Sequence, residues 1–298
     1  MTGTLTRVTD RLDVRKTYKL FVGGAFPRSE SGRTLPAVGS DGQTLAQIPR
    51  ASRKDLRDAV AAARGAQSSW AARTAYNRAQ ILYRIAEMLE GRRAQFVDEL
   101  TRSARTTDLD PAAEVDAAVD RWVWYAGWAD KLAQVAGGAN PVAGPYFNLS
   151  VPEPSGVVVV VAPDEPPLLG LVSRLAPAVV SGNAAVVVAS ETAPLPALTF
   201  AEVLATSDLP GGVVNLLTGQ RSELVPPAAA HRDVDVLDLA GVDDRDVRTE
   251  AERSAADSVT RLVRARSTVE DWTADAAQGP DVILASCEIK TVWHPKGR

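Results

Sequence analysis

The spacing of hydrophobic positions changes partway along the chain. Up to about residue 135 the apolar residues recur at helical intervals. Leu56, Val60 and Ala63 follow a Ser52-x-x-Asp55 start, a weaker relative of the capping box. Ala79, Leu82, Ile85 and Leu89 form a second stripe, which Phe96 and Leu100 continue. A third begins at Asp110-Pro111, an N-cap followed by proline at the first helical position, and runs through Val115, Val119, Trp122, Ala126 and Ala129. Ahead of these, residues 19–22 and the Gly23-Gly24 turn predict a small hairpin.

After Gly156 short apolar runs alternate with helical segments. The runs are Val157–Val161, Ala184–Val188, 213–217 and 234–239. Each is nearly continuous in Val, Leu or Ala, as expected of strands buried on both faces. Helices are predicted at 168–180, 195–206 and about 222–230, the last kept short by Pro226-Pro227. A helix near 243–257 and a strand near 259–264 complete the series. This order predicts an α/β fold with a doubly wound parallel sheet. Residues 267–280 lose periodicity and are expected to be a linker; 283–293 alternate again and predict a lone final strand.

Composition narrows the function classes. The chain has 298 residues, 45% of them apolar, and a net charge of -4, so it is long enough for a large core and has no basic field for nucleic acid or an anionic membrane. It holds one cysteine, Cys287, and two histidines, His231 and His294. A disulfide framework within one chain is excluded and a Cys/His zinc cage is not expected. The N-terminus lacks a signal-peptide apolar run, and no stretch reaches the length of a membrane span. The expectation is a cytoplasmic protein.

Several motifs together resemble the NAD(P)-dependent aldehyde dehydrogenase superfamily. They are KLFVGGAF at 19–26, RAQILYRIAEMLE at 78–90, YAGWADK at 125–131, LAPAVVSGNAAVVVASETAPLPA at 175–197, LPGGVVNLLTG at 209–219 and SCEIKTVW at 286–293. The resemblance implies a Rossmann-like cofactor domain, a catalytic domain with a nucleophilic cysteine, and a β-flap that joins subunits. The chain resembles a short form without the catalytic domain. On this reading residues 1–140 and 156–266 are the cofactor domain, 141–155 and 282–296 the oligomerisation flap, and 267–281 a linker in place of the catalytic domain.

The family's chemistry needs a thiolate, an oxyanion donor, a base and a bound nicotinamide. Cys287 aligns with the terminal strand, and the bland reading is a small strand residue. The family's Pro-Trp-Asn-Phe-Pro becomes Pro163-Asp164-Glu165-Pro166-Pro167, which puts an acceptor-only carboxylate at the donor position. Asp164 and Glu165 then read as a solvated acidic turn at a helix start. Ala265 to Thr268 replace the family's Glu-Leu-Gly-Gly. Of the cofactor contacts, Ser190, Glu191 and Gly241 remain as a degenerate set, while Asp243, Asp244 and Asp246 crowd the helix start where a pyrophosphate would dock. No cofactor is expected.

The best-matching parts are scaffold and assembly elements. The resemblance assigns Tyr146, Leu149, Val151, Cys287, Ile289, Thr291 and Trp293 to oligomerisation, and the cofactor domain is expected to expose the apolar face that the missing domain would cover. The leading expectation is a non-catalytic subunit that assembles with a full-length aldehyde dehydrogenase paralogue or with itself. The alternatives are an NAD(P)-dependent aldehyde oxidoreductase and a nucleotide- or metabolite-binding module.

Overall fold

The computed structural model describes residues 16–263 and 271–296. A hairpin of β1 (Thr34–Val38) and β2 (Thr44–Pro49) precedes four helices, α1 (Arg53–Ala71), α2 (Ala75–Glu90), α3 (Arg93–Arg102) and α4 (Pro111–Ala126). A short α5 (Leu132–Ala136), β3 (Gly138–Ala139) and β4 (Tyr146–Pro154) follow. The main sheet is then laid down as β5 (Val157–Val161), α6 (Leu169–Val180), β6 (Ala184–Val188), α7 (Leu195–Ala205), β7 (Val214–Leu217), α8 (Arg221–Ala229), β8 (Val236–Asp238), α9 (Arg245–Ser258) and β9 (Arg261–Val263). A 3-10 turn at Asp275–Ala277, α10 (Pro280–Leu284) and β10 (Cys287–Pro295) complete the described chain.

The five central strands are all parallel, in the order β7-β6-β5-β8-β9. That is the doubly wound order, with its reversal between β5 and β8. Val157 to Val161 are all buried because one set of side chains packs into each of the two apolar clusters flanking the sheet. The β7 edge is covered: Phe21 exchanges backbone hydrogen bonds with Leu216, in both directions. The predicted hairpin at 19–22 is thus a tight turn, closed by Val22 and Ala25, that seals a sheet edge.

Several element starts are as expected. Ser52 and Asp55 form a complete capping box, and Asp110 caps α4 through the amides of Ala112 and Ala113. Other boundaries differ. The second stripe breaks at Gly91, so Phe96 and Leu100 lie on a separate helix, α3. Val259 is the left-handed C-cap of α9 (φ 59°), so the last sheet strand starts only at Arg261. Pro226 and Pro227 are tolerated within α8, whose Leu224, Val225, Ala228 and Ala229 are buried. Ile283, expected in the final strand, is a buried residue of α10.

Buried Glu99 joins α3 to α7. Its Oε1 accepts from Thr199 Oγ1 at 2.7 Å, while Oε2 has no partner among the described residues. Burial pushes this carboxyl above the ordinary 4.5, against the pull of Thr199, Gln95 and Lys16. Its charged form therefore costs folding free energy above the folded-state pKa and none below the unfolded-state value. Glu99→Gln is expected to raise stability by about 1 kcal/mol at pH 8, with the gain shrinking toward pH 4. Urea unfolding across that range measures it; a gain that does not change with pH would refute the account.

Candidate functional site

In a doubly wound sheet the crevice lies at the carboxyl ends of the strands, where the strand order reverses. Here that place receives residues 162–165 after β5, 190–193 after β6, the start of α8 after β7, and residues 239–244 after β8. The central contact is a two-pronged ion pair. Arg221 Nη1 meets Asp164 Oδ2 at 2.6 Å and Nη2 donates to Asp164 Oδ1 at 2.8 Å. Nη2 also donates to Ala162 O at 2.7 Å. Asp164 Oδ1 further accepts from Ser190 Oγ and from Glu191 N, each at 2.8 Å. The Glu191 carboxylate turns back to accept from the backbone amide of Arg221. Burial alone would raise the Asp164 carboxyl, but the Arg221 guanidinium and the Ser190 hydroxyl overcome this and hold it below the ordinary range.

Ser190 and Glu191 are thus brought together, but around Asp164 and Arg221. Asp164 is not the solvated turn residue expected: its carboxylate is fully engaged. Arg221 carried no expectation from the sequence. The signal available was a partly buried acid at a strand end, which requires a cation from a neighbouring loop. Gly241 has a packing reason for being glycine. Its amide donates to Val161 O at 2.9 Å, and a Cβ there would collide with Ala162 O.

Beside this pair lies a cavity of about 350 Å³, lined by Asp164, Glu191, Arg221, Asp243 and Asp244 among others. The N-terminus of α9 opens toward it, but Asp244 already caps that helix, accepting from Asp246 N at 2.8 Å and Val247 N at 3.0 Å. These are the first-turn amides a phosphate would use.

The start of α6 is occupied in the same way. Leu168 N and Leu169 N donate to Glu114 Oε1, at 2.8 and 3.2 Å, and Glu114 Oε2 pairs with Arg105 at 2.6 Å. The acid at this helix start is therefore Glu114, not Asp164 or Glu165. Glu165 Oε1 accepts from Thr106 N at 2.8 Å, and its buried Oε2 has no partner among the described residues. Ala265 to Thr268, the general-base positions, lie outside the described residues.

Cys287 is 3% exposed, with Sγ 3.4 Å from Ile283 O. Burial pushes its thiol up, which disfavours the thiolate a nucleophile needs. His231 caps a turn, its Nδ1 accepting from Asp233 N. Trp122 is buried and stacks on Phe200, with centroids 5.9 Å apart.

The flap is a three-stranded antiparallel sheet in the order β10-β4-β3, so β10 is an edge strand. Its register runs from Cys287 opposite Pro154 to Pro295 opposite Tyr146. Strand parity sorts the expected assembly residues onto two faces. Tyr146, Ile289, Thr291 and Trp293 share one face, and Tyr146 and Trp293 meet edge to face at 5.8 Å. Leu149 and Val151 lie on the other face, with Phe147 and Val292. Cys287 belongs to neither exposed row, because its side chain is buried. The apolar face expected from a missing domain is not found on the main sheet: among the described residues, the exposed large hydrophobics lie on the flap, on α2, α4 and α5 and, singly, at Val38 of β1 and at Val259. Part of the expected linker is instead seated in the fold. Buried Arg121 donates to Trp272 O at 2.7 Å and Ala277 O at 3.0 Å, and Trp272 and Leu284 pack on the core.

Residues 28–264 match the aldehyde dehydrogenase family. The chain belongs to the aldehyde dehydrogenase family. Hydroxyisobutyraldehyde dehydrogenase of Mycolicibacterium austroafricanum is 34% identical over 226 residues, which is 74% of this chain and 44% of that protein. Retinal dehydrogenase 2 of Homo sapiens is 28% identical over 286 residues, 94% of this chain and 52% of that protein. Among solved structures, HpcC from Thermus thermophilus superposes with a TM-score of 0.78 at 30% identity, covering 84% of this chain and 48% of that one. The chain spans about half the length of these relatives. The parallel sheet is the family's Rossmann-like cofactor domain. Its last strand, β9, ends at Val263 and β10 begins at Cys287, which leaves no room between them for a catalytic domain.

The residues present do not fit the dinucleotide that the family's fold implies. Arg221 and Asp164 pair with each other across the crevice, the Glu191 carboxylate is held by the Arg221 amide, and Asp244 holds the amides a pyrophosphate needs. A dianion entering the cavity would face Asp243 and Asp244, and Arg221, the one cation among its described lining residues, is already paired. No helix among the described residues is long and apolar enough to cross a membrane.

Proposed function

We propose that this chain is a non-catalytic member of the aldehyde dehydrogenase family that assembles, through its flap, with a full-length relative and serves a structural or regulatory role. The observation that carries the reading is the β10 edge. Among the described residues no strand lies on its outer side, where it presents a row of backbone groups next to exposed Ile289, Val292 and Trp293. Adding that edge to a partner's sheet would satisfy its backbone, and the aromatic pair Tyr146–Trp293 would anchor the contact. The self-paired crevice and the buried Cys287 support the non-catalytic half of the reading.

Co-expression with a full-length aldehyde dehydrogenase from the same organism, followed by size-exclusion chromatography, tests it. Wild-type chain is expected to co-elute with the enzyme, and Trp293→Asp with Ile289→Asp to abolish co-elution while leaving the circular dichroism spectrum unchanged. Burying a charge in such a contact costs several kcal/mol, enough to weaken binding at least a hundredfold. The isolated chain is expected to form no NADH or NADPH from aldehydes. A chain that stays monomeric beside every such relative, or aldehyde-dependent reduction lost in Cys287→Ser, would overturn the proposal.

A further inference from the structure

A second cavity, of about 470 Å³, lies between the β1–β2 hairpin and the segment that leads into it. Its wall is unusual for an acidic protein. Lys16, Arg28 and Arg33 line it, and no aspartate or glutamate is among its described lining residues, although acids outnumber bases 37 to 33 in the chain. The three cations differ in how far they are already used. Lys16 is engaged, 2.8 Å from Glu202 and over the ring of Tyr18. Arg33 donates through Nε to Ser31 Oγ at 3.3 Å and brings Nη1 within 3.6 Å of Glu223, a carboxylate held more closely by Arg50, which leaves donors of its fork free of a close partner among the described residues. Arg28 is exposed and makes no hydrogen bond or ion pair with any described residue. Tyr18 and Pro49 supply apolar wall, and Gln47 an uncharged polar group.

We propose that this cavity binds a small organic anion, a carboxylate or phosphate group carried on a flat apolar body. Two guanidinium groups with spare donors can each engage an oxyanion through a planar fork, which a lysine cannot do. The apolar wall takes the body of the ligand, and the volume suits a molecule of one or two rings. The described lining residues offer a cationic ligand no carboxylate partner. The site is separate from the Arg221–Asp164 crevice and from the flap, so it stands or falls independently of the assembly reading.

Calorimetric titration of the isolated full chain with phenyl phosphate, benzoate, phenol and inorganic phosphate tests it. Phenyl phosphate or benzoate is expected to bind with a dissociation constant below about 1 mM, at least tenfold tighter than phenol. The comparison with inorganic phosphate measures what the apolar wall adds, and the comparison of the two aromatic anions separates carboxylate from phosphate. Arg28→Ala and Arg33→Ala are each expected to weaken binding about tenfold, and the double variant to remove it; both side chains are at the surface, so the fold should persist. Gln47→Glu, which adds an acid to an otherwise intact wall, is expected to weaken binding similarly. Binding of neither aromatic anion at 10 mM, phenol binding as well as benzoate, or affinity unchanged in the double variant would overturn the proposal.

Discussion

Glu114→Ala is expected to cost the fold about 3–5 kcal/mol, the range for removing one partner of a buried ion pair. Glu114 is 0% exposed, and the side chain of Arg105 opposite it only 8%. Truncation would leave that guanidinium without a counter-charge, holding only Leu109 O among the described residues, and would strand the two amides that begin α6, a helix with no other side-chain cap. The cost does not measure how much the pair contributes to stability. Burial pushes the Glu114 carboxyl up in spite of Arg105 and the two amides, so holding the charge there is itself unfavourable. The predicted loss is that of leaving the remaining groups unpaired. For a chain of this size it corresponds to a melting temperature lower by roughly 10 °C. Glu114→Gln keeps an acceptor for the amides but turns a donor toward Arg105, and should fall between the two. A melting temperature within 2 °C of wild type for the alanine variant would refute this account.

The sheet was readable because its signal is local. Five consecutive valines at Val157–Val161 can be buried together only on a strand covered on both faces. The Ser52–Asp55 and Asp110-Pro111 starts are local for the same reason. Boundaries decided by tertiary packing were not readable. Nothing in the apolar stripe from Ala79 to Leu100 marks Gly91 as a break rather than a tolerated residue, and α8 keeps its two prolines because burial outweighs propensity. The flap assignment mixed two faces although strand parity, which is in the sequence, separates Leu149 and Val151 from Tyr146. The crevice is the instructive case. The losses of family residues were visible one by one, but what replaced them was not. Asp164 and Arg221 are 57 positions apart and meet only because β5 and β7 end on the same side of the sheet. A position-by-position comparison reads Asp164 as a lost motif and passes over Arg221.

Arg221→Ala tests what that pair does. The substitution removes both prongs to Asp164 and the bond to Ala162 O, and leaves a carboxylate held only by Ser190 and two backbone amides. Arg221 is nearly buried, but Asp164 keeps some contact with water, so the expected loss is smaller than for Glu114, about 2–3 kcal/mol at pH 7. Its pH dependence follows from the lowered Asp164 carboxyl. The stabilisation is fully present above the unfolded-state value, near 3.8, and is lost as pH falls through the folded-state pKa below it. Wild type and variant should therefore converge in stability under acid conditions and differ most from pH 5 upward, which urea unfolding at pH 3 and pH 7 would register. An equal difference at the two values would show that Arg221 acts through packing alone. The same variant separates two obstacles to a dinucleotide. If the guanidinium were the only one, removing it would admit NAD. The Asp244 cap and the Asp243 carboxylate remain, however, on the side where a pyrophosphate would approach. Arg221→Ala is accordingly expected to show no tryptophan fluorescence change with NAD up to about 1 mM, beyond the level of nonspecific contact. Saturable binding at micromolar NAD would make Arg221 the single lock on a competent site, and would remove the main support for a non-catalytic chain.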